Sequence, residues 1–249
     1  MYSSISTRSA RPGRLVAGVV FALCLLSGPA SADVAADRRA FLSAVSLVGT
    51  DPSGHAGRRR ALGDYILAPY LDYEYYTRNI ATLGTENARS FLASEAGTQL
   101  GVQFRRAYLM ELARRADWSA FLEFDLPEEF TSADLRCHRV QAYLGTRRIE
   151  EARREFLAVW PNGSSLPDVC DAAIGSARQR GWLDAGQVWT RLRLAVEAGN
   201  AGLASHLARQ LPAGERDGGQ RLALAVADPA ATLRAAASWP DGPIEREAV

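Results

Sequence analysis

The chain contains 249 residues, of which 47% are hydrophobic and 23% are charged. These are the proportions of an ordinary folded protein, and they exclude a disordered, collagen-like or membrane-embedded chain. The 29 basic and 28 acidic residues leave a formal charge of +1. No strong field of one sign is therefore available to attract nucleic acid or an anionic membrane, and neither is expected as a partner.

The first 32 residues have the three parts of a secretory signal peptide. A basic head carries Arg8, Arg11 and Arg14, an apolar run covers residues 15–27, and small residues fill positions 30–32. The run is too short for a membrane span, and no lipid anchor is expected at Cys24, because Leu23 precedes it. Cleavage after Ala32 is predicted, which leaves a mature chain without a membrane anchor.

The mature chain, residues 33–249, is predicted to form one all-α domain. Apolar residues recur at helical spacing, and no stretch shows the alternation and β-branched enrichment that are typical of strands. In residues 99–115 one face carries Leu100, Phe104, Tyr108, Leu109 and Leu112. Helices are predicted to begin near Asp33, Arg58, Pro69 and Thr85, and to cover residues 99–115, 132–144, 147–160, 166–180, 184–198 and 201–210.

The order of these helices predicts an α-solenoid, a tetratricopeptide-like superhelix of antiparallel helix pairs. Turns of two to four residues rich in Gly, Asn and Pro separate the later helices, and such turns join antiparallel neighbours. Gly145, Ala152 and Phe156 resemble the second half of a tetratricopeptide unit. After Asp228 and Pro229 a helix restarts and breaks at residues 240–243. No polar capping helix follows it, although a solenoid that stands alone needs one.

Two cysteines, Cys137 and Cys170, lie in the predicted mature chain. An even pair in an oxidising compartment favours a disulfide over a metal site or a reactive thiol. His138 follows Cys137, but neighbours on a helix point about 100° apart. The disulfide would close a loop of 33 residues, which is worth on the order of 3 kcal/mol in the chain-entropy model.

The sequence offers no recognised catalytic motif. It contains no Gly-rich phosphate loop, no GxSxG, no HExxH and no CxxC. His55, His138 and His206 lack second ligands at metal spacing, so solvated or capping roles are favoured and neither a metal nor a cofactor is expected. Two carboxylate pairs could serve a glycosidase as acid and base. Glu128-Glu129 is better explained as a helix start and Glu150-Glu151 as partners of nearby Arg residues.

Five tyrosines lie close together in the sequence, and they support two interpretations. The rings of Tyr70, Tyr73, Tyr75 and Tyr76 could stack on sugars. The alternative is packing between helices with the hydroxyls at the rim. Packing is favoured because Tyr65, Tyr73 and Tyr76 follow helical spacing.

Several segments of the predicted mature chain together carry a resemblance to a known family. They are residues 69–75 (PYLDYEY), 109–118 (LMELARRADW), 191–195 (RLRLA), 197–200 (EAGN) and 207–212 (LARQLP). Cys137 and Cys170 lie among them as a spaced pair, with Pro167 and Asp171 alongside. In these residues, and in their order across most of the predicted mature chain, the sequence resembles the amino-terminal superhelical region of the soluble lytic murein transglycosylases of Gram-negative bacteria.

The resemblance implies a periplasmic protein whose superhelix forms part of a ring beside a lysozyme-like domain. In such enzymes that domain cleaves the β-1,4 bond between N-acetylmuramic acid and N-acetylglucosamine and forms a 1,6-anhydro product. One Glu in a Glu-Ser motif, followed by Gly-Leu-Met-Gln, acts as acid and then as base. Neither motif occurs in this sequence, and Ser94-Glu95 has the reverse order. No catalytic residue is therefore assigned.

Two hypotheses follow from the sequence. The first is the scaffold region of a truncated lytic transglycosylase, which is inactive alone and has glycan strands of peptidoglycan and a missing carboxy-terminal catalytic domain as its partners. The second is a stand-alone secreted helical-repeat protein that binds peptidoglycan or a protein partner. The uncapped carboxy-terminal segment favours the first hypothesis.

Overall fold

A computed structural model of the chain describes residues 34–248. The predicted signal peptide, residues 1–32, lies outside the described residues. Within them the chain forms helices and no strands, so the all-α prediction is confirmed. The helices are α1 Val34–Ser46, α2 His55–Ala61, α3 Ala68–Arg78, α4 Thr85–Ser94, α5 Gln99–Arg114, α6 Trp118–Phe124, α7 Ala133–Gly145, α8 Ile149–Val159, α9 Asp171–Gln179, α10 Ala185–Glu197, α11 Ala201–Ala208, α12 Arg216–Ala227, α13 Pro229–Ala236 and α14 Pro243–Ala248.

Short polar side chains fix where many of these helices begin. Asp184 accepts a hydrogen bond from the backbone N–H of Gln187, and Asn200 accepts one from Leu203. Each bond satisfies an N–H that the first helical turn leaves without a partner. Helices α9 and α10 are each followed by a glycine with positive φ, Gly181 at 68° and Gly199 at 70°. The helix ends predicted at these two glycines are therefore confirmed.

Three helices were missed by the sequence analysis: α6, α12 and the last helix, α14. Helix α6 has only seven residues, and Asp117 caps it directly after Ala116, whose φ is 54°. Helix α12 begins with Arg-Asp-Gly-Gly, a composition typical of a loop. Its Gly219 is buried, and a Cβ there would lie 2.5 Å from Leu211 Cδ1. Close packing of α12 on the preceding segment therefore overrides the low helix propensity of glycine.

Helices that follow one another in sequence pack against one another. The pairs α5 and α6, α6 and α7, α7 and α8, α10 and α11, and α11 and α12 are all in contact. The predicted superhelical arrangement of helix pairs agrees with this packing, whereas the specific likeness to tetratricopeptide units stays a prediction. In the described part of the chain no helix has both the length and the apolar character needed to cross a bilayer.

Gly145 is required for a reason that the sequence did not indicate. It was interpreted as a turn glycine, but it is the last residue of α7, and the left-handed residue of this turn is Arg147, with φ 62°. A Cβ on Gly145 would lie 2.2 Å from Cδ1 of Trp118 on α6. The position therefore needs glycine because the Trp118 ring occupies the space of a side chain.

The disulfide between Cys137 and Cys170 is present, as the sequence predicted. It joins α7 to the short 3-10 turn before α9, with the two Cα atoms 5.0 Å apart. Both cysteines are fully buried, together with Val159 and the half-buried Leu166 and Ile174. The bond therefore ties the loop that follows α8 to the preceding helix pair.

The last described helix, α14, has charged residues at a place where the sequence analysis recognised no polar cap. Its Glu245 pairs with Arg221 of α12 at 2.6 Å, and its Glu247 pairs with Arg193 of α10 at 2.9 Å. Ala248 is buried in the hydrophobic cluster that also contains residues of α10 and α12. Helix α14 therefore covers part of α12 and turns charged side chains outward.

Candidate binding site around the tyrosine cluster

The four tyrosines of α3 occupy different environments. Pro69 lies in the first turn of this helix, where its fixed φ fits. Tyr70, the next residue, leaves half of its surface in solvent, at 50% exposure. Tyr73, Tyr75 and Tyr76 are half-buried. Tyr70 is therefore the member of this cluster that offers most of its ring to a ligand.

The other three tyrosines pack between helices. Tyr73 and Tyr76 lie against the core built from α4 to α7, and the Tyr76 ring meets Phe91 edge to face, with centroids 5.5 Å apart. Tyr75 packs on the hydrophobic cluster that α1 and α3 form, and its ring stacks on His55 with the centroids 3.9 Å apart. Much of the surface of these three rings is therefore used in packing the fold.

A polar group that the sequence analysis did not assemble lies beside these rings. His55 Nε2 is 2.9 Å from Asp72 Oδ1, and Arg59 Nε donates to Asp72 Oδ2 at 2.8 Å. The solvated role expected for His55 is wrong, because the residue is buried, at 8% exposure. Burial lowers the pKa of His55, and the Asp72 carboxylate opposes that shift only in part.

The His55, Asp72 and Arg59 group borders an open cleft of about 560 Å³ between α2 and α3. Tyr76, Arg60 and Asp64 line the rest of it. Both carboxylate oxygens of Asp72 are already engaged, so Asp72 acts as a bridge between the two helices. The cleft presents charged donors and acceptors beside an aromatic ring, which suits the binding of a polar ligand.

Neither carboxylate pair forms an acid–base site. Glu128 and Glu129 are exposed in a turn, so the helix start predicted there is wrong; Phe130 follows them as a buried non-helical residue. Glu150 and Glu151 lie in the first turn of α8, and Glu151 pairs with Arg148 at 3.0 Å. The hydrogen bond from Arg148 lowers the pKa of Glu151. A general acid needs the opposite shift.

The remaining histidines do not add a metal site. His138 is half-buried within α7, and burial lowers the pKa of its imidazole. His206 is exposed on α11. Across residues 34–248 no group of three or more His, Cys, Asp and Glu side chains is arranged to hold a metal ion.

Comparisons with known proteins agree on one family. The sequence matches no family model. It is 33% identical over 152 residues to the soluble lytic murein transglycosylase of Escherichia coli strain K12 and 32% identical to that of Salmonella typhimurium strain LT2. The fold matches a lytic transglycosylase Slt from Pseudomonas aeruginosa, solved as an inactive mutant, with a TM-score of 0.73 and 30% identity over 85% of this chain.

The chain is homologous to soluble lytic murein transglycosylases. A second solved structure, a 70-kDa soluble lytic transglycosylase in complex with bulgecin A, matches 86% of this chain with a TM-score of 0.74 and 25% identity. The chain spans 23% of the length of the Escherichia coli transglycosylase, and 34% and 35% of the two solved chains. The homology therefore concerns a part of these enzymes.

Apart from Tyr76, the residues that line the cleft were not recognised from the sequence as a site. Asp72 stands inside the tyrosine segment that carries the resemblance, so its position between four aromatic residues was the available signal. His55 and Arg59 belong to a separate helix, and only the packing of α2 on α3 brings them to Asp72. The spacing of residues within one helix does not predict a contact between two helices.

Proposed function

We propose that this chain is the superhelical scaffold region of a periplasmic lytic transglycosylase, an enzyme that cleaves the N-acetylmuramic acid to N-acetylglucosamine bond of peptidoglycan with a 1,6-anhydro product. The observation that carries the proposal is the match of the fold to about one third of two solved transglycosylases over 85% and 86% of this chain. The predicted signal peptide supports export to the periplasm.

The chain is proposed to contribute binding surface and not bond cleavage. The sequence contains no Glu-Ser motif and no Gly-Leu-Met-Gln segment. Both oxygens of Asp72 are engaged by His55 and Arg59, and the pKa of Glu151 is shifted downward. A group that protonates a leaving oxygen near neutral pH needs a raised pKa. Cleavage is therefore assigned to a catalytic domain that these 249 residues do not include.

Tyr70 and the cleft that Asp72 and Tyr76 border are the proposed contacts with glycan strands. Tyr70 combines an exposed ring with a position on a helix whose other tyrosines are held by packing. A ring fixed in this way stacks on the apolar face of a sugar at a small entropic cost. The contribution proposed for Tyr73, Tyr75 and Tyr76 is to hold α3 and the cleft in place.

The first experiment separates catalysis from binding. Purified protein covering residues 33–249 is incubated with peptidoglycan sacculi, and the released fragments are measured by mass spectrometry. No 1,6-anhydro muropeptide is expected, whereas an intact transglycosylase in a parallel reaction releases them. Release by this chain alone would contradict the scaffold proposal.

The second experiment measures co-sedimentation with sacculi. Tyr70→Ala should reduce the bound fraction, whereas Tyr70→Phe, which keeps the ring, should bind as the unchanged protein does. Leu233→Ala removes an apolar side chain on α13 that is more exposed than Tyr70, and it serves as the control. Equal binding by all variants would exclude Tyr70 as the contact. If the chain sediments only when a second protein is present on the sacculi, and not with purified glycan, the result would favour the alternative of a stand-alone protein that binds a protein partner.

A further inference from the structure

Arg191 is a buried cation without an acidic partner. Arg191 lies in the middle of α10 and is 4% exposed. Nε donates to the carbonyl of Asn162 and Nη2 to the carbonyl of Ser164, each at 3.3 Å. Its guanidinium carbon lies 4.3 Å from the centroid of the Trp160 ring. No carboxylate in residues 34–248 forms an ion pair with it.

Arg139 shows how this fold otherwise treats a buried guanidinium. At 2% exposure it donates to the carboxylates of Asp125 and Glu155 and to a backbone carbonyl. Burial works against the charge of Arg139, but the two carboxylates outweigh it and raise the pKa. At Arg191 burial acts without opposition and lowers the pKa to about 10. The group is still charged at neutral pH, and its charge is uncompensated, which costs stability.

Arg191 borders a cavity of about 260 Å³ between α9, α10 and α11. An arginine has five N–H donors, and two of those of Arg191 are used by the two carbonyls. The lining also includes the apolar side chains of Ile174, Leu203 and Leu207. The cavity therefore combines charged donors with apolar surface for a small apolar group.

Gln210 supplies an independent indication of a missing acceptor in the same cavity. Its Oε1 accepts a hydrogen bond from Arg178 Nη2 at 2.8 Å. That contact fixes the orientation of the amide, because Arg178 can only donate. The amide nitrogen is buried and has no hydrogen-bond partner. Leaving a buried donor without an acceptor destabilises the protein, so a ligand that brings an acceptor is favoured.

The geometry points to a binding site for a carboxylate on a short apolar stem, with Arg191 as its charge partner and Gln210 as a second donor. We propose this site as a feature of the α9 to α11 segment, distinct from the cleft between α2 and α3 and independent of glycan binding. Exposed Asp171 at the cavity margin forms no ion pair with Arg191, and exposed Arg178 and His206 add basic groups there. The carboxylate belongs either to a free short-chain acid or to the terminus of a peptide.

The test uses three small probes on the purified chain and follows the indole N–H of Trp160 and the side-chain amide of Gln210 by NMR. Propionate represents a free acid, N-acetylalanine represents a peptide terminus, and N-acetylalaninamide has nearly the same shape without the charge. We expect at least one carboxylate to shift both signals at millimolar concentration. The amide should bind about tenfold more weakly or not at all, since a charge-assisted contact is lost.

The outcome assigns the source of the carboxylate. Equal affinity for propionate and N-acetylalanine indicates a free acid, whereas preference for N-acetylalanine and for longer peptides ending in alanine indicates a peptide terminus. If neither carboxylate shifts the two signals, or if the amide binds as well as the acid, the proposal is wrong.

Variants connect the binding to the named side chains. Arg191→Met should abolish the response, whereas Arg193→Met should leave it unchanged. Arg193 is a matched control because it lies on the same helix, above Trp189, and pairs with Glu247. If Arg191→Met fails to fold, Gln210→Leu still tests the site, because the loss of one donor should weaken binding several-fold. Unaltered affinity in either folded variant would overturn the proposal.

Discussion

Arg139 and Asp125 form a buried ion pair that connects α7 to the segment after α6. Each side chain is 2% exposed, and Arg139 donates to both carboxylate oxygens of Asp125. Arg139 also donates to Glu155 of α8 at 3.0 Å and to the carbonyl of Phe130 at 2.9 Å. One guanidinium therefore joins three consecutive parts of the superhelix.

Replacing one partner of this pair should strongly destabilise the protein. Asp125→Ala leaves the Arg139 charge buried without its main partner, so the free energy of unfolding should fall by about 3–5 kcal/mol in urea titrations. The double variant Asp125→Leu with Arg139→Met removes both charges and should lose clearly less. Asp241→Asn, in an exposed pair with Arg246, is the control and should not change the midpoint. A double variant less stable than Asp125→Ala would contradict this account.

The Cys137 to Cys170 disulfide should contribute about 3 kcal/mol, because it closes a loop of 33 residues in the unfolded chain. The double variant Cys137→Ala with Cys170→Ala should unfold at lower urea concentration by that amount. Reductant should destabilise the unchanged protein and leave the double variant unaffected. Equal sensitivity of both proteins to reductant would show that the effect arises elsewhere.

The stability of the protein should fall between pH 7 and pH 5. Burial lowers the pKa of His55 and of His138 below 6.5 in the folded state. The unfolded chain therefore binds more protons in this range, and stability, complete above pH 6.5, is lost as the pH falls toward the lowered values.

A double variant tests the origin of that loss. His55→Gln with His138→Gln should show a smaller difference in thermal midpoint between pH 7 and pH 5, even if its midpoint at pH 7 is lower. His206→Gln, at an exposed position, should retain the full difference. An unchanged pH dependence in the double variant would assign the effect to other groups.

Gly163 should tolerate no side chain. A Cβ there would lie 2.4 Å from the carbonyl oxygen of Leu194 on α10, and backbone cannot move aside as a flexible side chain can. Gly163→Ala should therefore lower the thermal midpoint by separating the loop after α8 from α10.

Gly175 is the matched control. It lies within α9, and a Cβ at this position would meet no atom within 4 Å. Gly175→Ala should raise the free energy of unfolding by about 1 kcal/mol, because alanine has the higher helix propensity. Similar effects at the two glycines would contradict the structural distinction.

The sequence by itself determined the helical class, the position of most helices and which faces they bury. In α5 the predicted apolar face, including Leu100, Phe104 and Tyr108, is buried. The cysteine pair was also predicted correctly, because the chain predicted to remain after signal-peptide cleavage contains no third cysteine. These features depend on local periodicity and on composition, which a single chain displays directly.

The tertiary structure decided the environment of each charge. Arg139 and Arg191 are both buried on amphipathic helices. Arg139 contacts carboxylates 14 and 16 residues away in sequence, whereas Arg191 contacts carbonyl oxygens and a Trp ring. The joining of His55 to Asp72 and the contact of Gly145 with Trp118 were decided in the same way. Helical periodicity indicates which side of a helix is buried. The side chains that contact this side belong to other helices, and the packing of the helices determines which of them are in contact.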